Sequence, residues 1–306
     1  MGEFVNLFEV GPRDGLQNEK EIIPTSHKIE LIERLVSSGL QKIEATSFVN
    51  PKWIPQLADA VDVLTQIKRK DGVVYSALVP NLRGLERALG VGMKEIAVFM
   101  SSSESHNKSN INKSIDETFP VLREVAQAAR AEGIKVRGYV STAFGCPFEG
   151  DVPLSSVVRV TEQLLDMGAY EVSIGDTIGV GNPKQVKENF RSLIDLFGSG
   201  RLAGHFHDTR GTGLANVYAA LEAGIRTFDS SIGGLGGCPY APGASGNIST
   251  EDIVYMLHAM GMETGVDLDG LVQTGVFMES VLGRTLPSRV LQAMKKTGKE
   301  GECVNG

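Results

Sequence analysis

The 306-residue sequence predicts an α/β fold, specifically a (β/α)₈ TIM barrel with additional C-terminal helices. Three observations support this prediction: eight short β-rich runs alternate with amphipathic helical segments, glycines follow several of those segments, and unusual polar residues lie just beyond strand ends. No Pro/Ser-rich linker or shift in composition interrupts the alternation. We therefore expect one domain over 1–306, with C-terminal helices from about 249 and a polar tail from about 296.

The candidate strands are short runs rich in β-branched and aromatic residues. They are Phe4–Val10, Lys42–Phe48, Val73–Val79, Glu95–Met100, Lys135–Thr142, Glu171–Asp176, Ala203–His207 and Thr227–Ser231. Between them, apolar residues recur at about 3.6-residue intervals, as in 27–36. Gly39, Gly133, Gly168 and Gly224 come shortly before strands, where glycine adopts the left-handed conformation that ends a helix. The count of strands alone does not exclude a doubly wound open sheet.

The composition excludes several classes of protein. Lys and Arg number 30 against 37 Asp and Glu, a formal net charge of −7, and no basic patch indicates a nucleic-acid partner. No run approaches the roughly 18 apolar residues of a membrane-spanning helix, and the first residues do not resemble a targeting signal. Cys146, Cys238 and Cys303 are too widely spaced for a disulfide framework or a CxxC site. We expect a cytoplasmic protein with no nucleic-acid or membrane partner.

The most specific local pattern is the pair His205 and His207, followed by Asp208, on the seventh candidate strand. Alternation along a strand places both imidazoles on one face, roughly 7 Å apart at the base, a spacing that suits two ligands of one metal ion. The alternative is a packed, hydrogen-bonded histidine followed by a solvated one. Their position at the carboxyl end of a barrel strand, where such folds build active sites, favours the metal interpretation.

Two imidazoles need oxygen ligands beside them to hold a hard divalent ion. Asp14, in the turn Gly11–Gly15 after the first strand, and Asn247, just before a helix cap, are the candidates. Either side chain can instead satisfy the backbone of its own turn. Glu44 belongs to the second strand and Asp176 ends the sixth, and each carboxylate either orients a ligand or forms a structural ion pair. The local pattern leaves these alternatives open.

A glycine-rich segment, Gly233–Asn247, follows the eighth strand. Six glycines and two prolines among its 15 residues describe a loop whose backbone can approach a ligand closely and which can move as a lid. It lacks the Gly-Lys-Ser/Thr end of a P-loop, so it does not predict an NTPase. Cys238, in its middle, is either a mobile acid or base or an incidental loop cysteine.

Five segments together resemble the 3-hydroxy-3-methylglutaryl-CoA lyase family of metal-dependent barrel lyases. They are Val10–Lys20, Ile43–Gln56, Gly175–Gly179, His205–Asp208 and Gly233–Asn247. The Arg-Asp and His-x-His pairs are shared with related isopropylmalate and homocitrate synthases. The long glycine segment with its cysteine is specific to the lyases, and the resemblance runs nearly end to end.

The resemblance implies cleavage of 3-hydroxy-3-methylglutaryl-CoA, an acyl-CoA substrate, into acetyl-CoA and acetoacetate with a divalent cation, Mg²⁺ or Mn²⁺. The implied metal ligands are Asp14, His205, His207 and Asn247. In such an enzyme the cation favours the C3 alkoxide whose collapse breaks the C2–C3 bond. Arg13 would stabilise the charge that develops on the thioester oxygen, and Cys238 would donate a proton to the acetyl-CoA carbon.

Supporting roles follow from the same resemblance. Glu44 and Asp176 would hold Arg13 or the ligand histidines in place. His205 would double as the base near the C3 hydroxyl, unless a bound water or a carboxylate takes that role. The implied contacts to substrate or CoA are Arg13, Lys20, Ser47 and Thr177.

The chain departs from animal members of that family, which carry a mitochondrial leader and a regulatory cysteine in a C-terminal helical segment. Here residues 288–295 contain no cysteine, and Cys303 lies later in a different tail. We therefore expect a bacterial-type cytoplasmic enzyme without thiol control between subunits. By the same resemblance it would form a homodimer and act in leucine degradation or ketone body metabolism.

Two other functions remain open at this point. One is a related synthase or aldolase that joins acetyl-CoA to a 2-oxo acid or cleaves a 4-hydroxy-2-oxo acid. The glycine segment with Cys238 argues against it. The other is a metal- or CoA-binding protein without catalysis, which the joint presence of Arg13, Asp14 and the histidine pair disfavours.

Overall fold

The computed structural model describes residues 2–238 and 241–297, with every side chain except those of 238, 241–245, 296 and 297. Eight parallel strands form its centre. They are β1 (Asn6–Glu9), β2 (Lys42–Ser47), β3 (Val74–Leu78), β4 (Glu95–Ser101), β5 (Lys135–Ser141), β6 (Ala169–Asp176), β7 (Leu202–Phe206) and β8 (Thr227–Ser230). All eight predicted strands are therefore present, with small shifts at their ends.

The strands follow one another around a closed barrel in chain order. The ring closes where β1 pairs in parallel with β8, with Asn6 opposite Thr227 and Glu9 opposite Ser230. An open sheet has two unpaired edges, so this pairing excludes the doubly wound alternative and confirms the barrel.

Helices connect successive strands and cover the outside of the barrel. They are α1 (Thr25–Ser37), α2 (Ala60–Gln66), α3 (Leu82–Gly90), α4 (Glu104–Ile111), α5 (Ile115–Ala131), α6 (Leu154–Asp166), α7 (Pro183–Phe197), α8 (Gly213–Ala223), α9 (Thr250–Ala259), α10 (Leu268–Leu282) and α11 (Arg289–Thr297). Helix α9 completes the eighth strand–helix unit, so α10 and α11 are the helices added to the barrel. No helix within residues 2–238 and 241–297 has both the length and the apolarity needed to cross a membrane.

Local chemistry explains several of these boundaries. Strand β1 ends at Glu9 because the carbonyl of Val10 accepts the N–H groups of Arg13, Asp14 and Gly15, which winds residues 11–15 into one π-helical turn. After α1, Gly39 has φ +94°, and a Cβ there would collide with the carbonyl oxygen of Gly265. The predicted glycine stop is therefore also a close-packing site.

The core lies between the strands and the helix layer. Phe190 of α7 and Phe206 of β7 are fully buried, and the Phe144 ring packs against both, with ring centroids 5.9–6.3 Å apart. Removing a buried phenylalanine side chain of this kind costs about 3–5 kcal/mol. The helix layer thus holds β7, and the histidines at its end, in a fixed position.

The carboxyl end of the barrel gathers the unusual residues. The π-helical turn follows β1, and a small antiparallel pair, β9 (Gly237–Cys238) and β10 (Ala241–Ser245), follows a 3₁₀ turn at Ile232–Gly234. The N–H of Asp208 donates to the carbonyl of Gly246 over 2.8 Å, which ties the glycine segment back to the end of β7.

Candidate active site

Asp14, His205 and His207 come together at the carboxyl end of the barrel. One ligand atom from each lies within 4.8 Å of the other two. The two histidines share a face of β7 and its extension, and their Nε2 atoms are 3.2 Å apart. The fold therefore brings the two imidazoles next to Asp14 in the turn after β1, as the sequence predicts.

Asn247 lies beside this cluster and is buried. A backbone bridge joins it to His207, and its Nδ2 group donates to Asp14 Oδ2 over 2.8 Å and to the carbonyl of Leu235 over 3.2 Å. The amide nitrogen, rather than the oxygen, thus faces Asp14. Ligation through the oxygen would require a half-turn of the amide plane that gives up both hydrogen bonds, and the predicted role of Asn247 as a fourth ligand stays a prediction.

The pKa values of the cluster are shifted in different directions. Burial, and next the neighbouring His205, lower the pKa of His207 to about 4, so its imidazole is neutral near pH 7. Burial acts to raise the pKa of Asp14, but the Arg13 guanidinium and the two histidines outweigh it and keep the carboxylate ionised. Burial acts to lower the pKa of His205, but its hydrogen bond to Asp229 and the charges of Asp229 and Asp14 raise it. A cation would bind the neutral form of each imidazole and the ionised carboxylate of Asp14.

Arg13 is held on one side of the cluster by a second carboxylate. Its Nη1 lies 2.6 Å from Asp14 Oδ1, and its Nε donates to Glu44, whose side chain is fully buried. The hydroxyl of Tyr139 donates to the other oxygen of Glu44, and the Tyr139 ring centroid is 5.7 Å from the guanidinium carbon. Glu44 therefore occupies the place predicted for a residue that orients Arg13.

Asp176 lies at the end of β6 and is fully buried. Its carboxylate accepts the N–H groups of Val180 and Gly181 over 3.0 and 2.9 Å. Burial raises the pKa of Asp176. These hydrogen bonds organise the loop after β6, and the predicted role of Asp176 beside Arg13 or the histidines stays a prediction.

The three remaining predicted contact residues are spread along the rim. Thr177 lines the main cavity, and its hydroxyl accepts the N–H of Thr142 over 2.8 Å. Ser47 is buried, and its hydroxyl donates to the carbonyl of Leu78 over 3.3 Å. Lys20 is exposed and lines a second cavity. Thr177 thus lines the same cavity as the cluster, and the substrate contacts of Thr177, Ser47 and Lys20 stay predictions.

Two adjoining cavities open at this rim. The larger, about 1240 Å³, contains the cluster and extends outward past Phe48 to the exposed Trp53 and Arg87. The smaller, about 520 Å³, is lined by Lys20, Gly236 and Arg284, and both are lined by Asn18 and Gly237. Together they exceed the usual size of a site for a drug-sized ligand and suit a long substrate.

Two of the sequence predictions concern cysteines whose side chains the structure does not describe. Cys238 belongs to β9, where the carbonyl of its neighbour Gly237 accepts a hydrogen bond from Asn18 over 3.3 Å. The side chain of Cys238 lies outside the described part of the chain, as does the whole of Cys303. The proton-donor role of Cys238 therefore stays a prediction.

Sequence reasoning missed a group of charged residues inside the barrel. Arg137, fully buried, pairs with Glu171 and with Asp229, which in turn lies 3.1 Å from His205. Burial acts to raise the pKa of Asp229, but Arg137 and the bond to His205 lower it to about 2. Ionisable residues in the middle of candidate strands are the signal that marks such a group.

Comparisons with known proteins agree with the geometry. The HMGL-like family profile matches residues 4–278. The chain is 53% identical to hydroxymethylglutaryl-CoA lyase YngG of Bacillus subtilis, over 96% of this chain and 98% of the relative.

Comparison with solved structures gives the same result. A hydroxymethylglutaryl-CoA lyase from Pseudomonas aeruginosa is 47% identical, with a TM-score of 0.95 over 97% of this chain and 99% of that one. An HMG-CoA lyase from Acinetobacter baumannii, solved with coenzyme A and 3-methylmalate, is 40% identical, with a TM-score of 0.91 over 99% and 98% of the two chains.

Proposed function

The chain belongs to the HMGL-like family, and we propose that it is a carbon–carbon lyase that cleaves 3-hydroxy-3-methylglutaryl-CoA into acetyl-CoA and acetoacetate. The single observation that carries this proposal is the cluster of Asp14, His205 and His207, adjoined by Arg13, in a chain similar to such lyases over nearly its whole length. Fold alone would not suffice, because the (β/α)₈ barrel supports many reactions.

Asp14, His205, His207 and the side-chain oxygen of Asn247 are the proposed ligands of a divalent cation, Mg²⁺ or Mn²⁺. When bound, the cation supplies a Lewis acid that favours the alkoxide form of the substrate's C3 hydroxyl. The donor set supports a metal, since two imidazoles, a carboxylate and an amide come together, with His207 and Asn247 buried and Asp14 and His205 facing the cavity. Carboxylate and amide oxygens suit both of these cations, and the imidazoles favour Mn²⁺.

Arg13 has the position required to stabilise the enolate of acetyl-CoA. Breaking the C2–C3 bond leaves two electrons on C2, and the charge spreads to the thioester oxygen. A guanidinium held in advance by Glu44 and Asp14 stabilises that charge without having to reorganise. Protonation of C2 by the thiol of Cys238, brought in by the glycine segment, would complete acetyl-CoA.

His205 is proposed here as a ligand and not as the base. Its Nε2 faces His207 and its Nδ1 faces Asp229 inside the barrel. As a metal ligand through Nε2 it would keep no nitrogen toward the substrate. The hydroxyl proton is therefore left to water or to a carboxylate.

The two adjoining cavities are proposed to accommodate the acyl group and coenzyme A. Thr177 lines the larger cavity and Lys20, a cation, lines the smaller one, where it can meet the phosphates of coenzyme A. Ser47 supports the rim through its bond to Leu78. Asp176 supports it through the loop at Val180.

The test is turnover of 3-hydroxy-3-methylglutaryl-CoA by the purified, metal-stripped protein, with and without Mg²⁺ or Mn²⁺ and under reducing conditions. We expect acetoacetate and acetyl-CoA in equal amounts by mass spectrometry, only with metal. His207→Ala should abolish this turnover, whereas His258→Ala, an exposed histidine bonded to Thr264, should not. Absence of both products with metal-loaded protein would contradict the proposal, and 2-oxo acids with acetyl-CoA would then test the synthase alternative.

We also propose that the chain acts as one domain, as a homodimer, and in the cytoplasm. These proposals rest on the family and on the uninterrupted strand–helix repeat. Light scattering of the purified protein tests the second: twice the mass of 32.8 kDa supports a dimer, and the monomer mass contradicts it.

A further inference from the structure

A buried carboxylate lies behind His205, on the side away from the cavity. Asp229 of β8 is opposite His205 in the register of β7 and β8, and its side chain has no exposure to solvent. Its Oδ2 is 3.1 Å from His205 Nδ1, whereas His205 Nε2 is 3.2 Å from His207 Nε2. The two nitrogens of one ring thus serve different partners, Asp229 inside the barrel and the proposed metal site at its rim.

Asp229 is itself held by two donors, from β5 and β6, which reach it across the inside of the barrel. Nη2 of Arg137 donates to Oδ1 over 2.8 Å, and the hydroxyl of Ser173 donates to Oδ2 over 2.6 Å. The Nε of Arg137 donates in turn to Glu171 over 2.8 Å. Because an ionised carboxylate only accepts hydrogen bonds, the nitrogen of His205 that faces it must carry the proton.

The second imidazole has no such support. Nδ1 of His207 is buried and makes no hydrogen bond to any described residue. The two proposed ligand histidines therefore differ: the orientation of the His205 ring is fixed from behind, and that of His207 is not.

We propose that Asp229, clamped by Arg137 and Ser173, is a positioning residue that fixes His205 as the Nδ1–H tautomer and so presents its unprotonated Nε2 to the metal. The inference rests on the proposed function for the presence of a metal, but the hydrogen-bonded geometry stands apart from it. Carboxylates that hold metal-bound histidines in this way typically contribute about 10- to 100-fold in metal affinity.

The test compares Asp229→Asn with Glu171→Gln. Both replace a buried carboxylate by its amide, and both remove a partner of Arg137, but only the first touches His205. Mn²⁺ titration followed by electron paramagnetic resonance gives the metal affinity, and ¹⁵N spectra of histidine-labelled protein with Mg²⁺ give the tautomer. The His205 signals are assigned by their loss in His205→Gln.

For wild type we expect the Nδ1–H tautomer of His205. In Asp229→Asn we expect altered His205 nitrogen shifts and Mn²⁺ binding about 10- to 100-fold weaker. Glu171→Gln should keep the wild-type spectrum and bind Mn²⁺ within about 3-fold of wild type. Equal weakening in both variants would mean that the charged group only supports the fold, and an Nε2–H tautomer in wild type would overturn the proposal without any variant.

If Asp229→Asn does not fold, Ser173→Ala removes one donor from the same carboxylate oxygen and should weaken Mn²⁺ binding less than the loss of Asp229 would. Unchanged Mn²⁺ binding and unchanged His205 nitrogen shifts in Ser173→Ala would contradict the proposal. Failure of the proposed function is distinguishable: wild type would then lack lyase turnover, while the dependence of the His205 tautomer and of Mn²⁺ binding on Asp229 would persist.

Discussion

Arg13 illustrates how a buried cation can be prepared for a charge that appears only during a reaction. Its side chain is almost fully buried, yet it lines the cavity beside Asp14. Burial of an unpaired guanidinium would be prohibitive, so the ion pairs to Glu44 and Asp14 are what make the position tenable. The same pairs fix the direction in which the guanidinium points.

Arg13→Gln should therefore impair catalysis more than metal binding. We expect kcat for cleavage of 3-hydroxy-3-methylglutaryl-CoA to fall by about 10²- to 10³-fold, the usual cost of removing one donor to a developing oxyanion. Steady-state kinetics and a parallel measurement of bound Mn²⁺ check this.

The matched control is Arg69→Gln, which removes an arginine that binds backbone carbonyls at the surface, among them that of Gly92. Its kcat should equal that of wild type. Retention of full activity by Arg13→Gln would remove Arg13 from the reaction.

At the scale of single residues, local sequence patterns predicted those groups that lie close both in sequence and in space. His205 and His207 share a strand face, so their alternation alone indicated a common ion. The link between His205 and Asp229 depends on which strands are neighbours and in what register, because Asp229 comes 24 positions after His205 with helix α8 between them. Only the folded barrel supplies that information.

At the scale of elements, the glycine segment is held at both ends by two buried glutamates. Glu9, at the end of β1, accepts the N–H groups of Gly11 and Ile232 and the hydroxyl of Thr250. Glu251 accepts the N–H of Gly233 and the hydroxyl of Ser249. The ends of the loop between β8 and α9 are thus bonded to fixed carboxylates near the proposed active site.

These glutamates should make the stability of the fold depend on pH. Burial raises the pKa of Glu9 to about 7 and that of Glu251 to about 8, against 4.5 for an ordinary glutamate side chain. Between pH 4.5 and about 8 the folded chain therefore holds protons that the unfolded chain releases. The free energy of unfolding should fall as pH rises through this window, by up to about 1.4 kcal/mol per pH unit for each group.

Urea unfolding of wild type and Glu251→Gln at pH 5.5, 6.5, 7.5 and 8.5, in the presence of a chelator, checks this expectation. The amide does not titrate, so the variant should show a shallower decline. Glu30→Gln, at an exposed position of α1, should keep the wild-type slope. Parallel curves for wild type and Glu251→Gln would show that Glu251 does not titrate in this range.

The order and type of the barrel elements could be predicted because each strand and helix carries its own periodicity. The small β9–β10 pair could not: its residues form part of a segment rich in glycine and proline, a composition that indicates a loop. Helix α9 was predicted, but its place as the eighth barrel helix rather than an appendage depends on where the ring closes.

For the molecule as a whole, the proposed ligands join parts of the barrel that meet where the ring closes. Asp14 follows β1, the histidines end β7, and Asn247 lies between β8 and α9. The strand between these groups, β8, pairs with both β1 and β7. A cation held by all four side chains would therefore connect the first and last units of the fold, and it should stabilise the entire chain.

Metal removal should accordingly lower the melting temperature. A ligand present at 100 times its Kd stabilises the folded state by about 2.7 kcal/mol, which for a chain of this size corresponds to a shift of several degrees. We expect thermal unfolding followed by circular dichroism to shift upward by this amount when Mn²⁺ is added to chelator-treated wild type. His207→Ala should show no such shift, whereas His258→Ala should shift like wild type. An equal rise in His207→Ala would place the stabilising cation elsewhere, because that variant lacks one of the two imidazoles on which the proposed site depends.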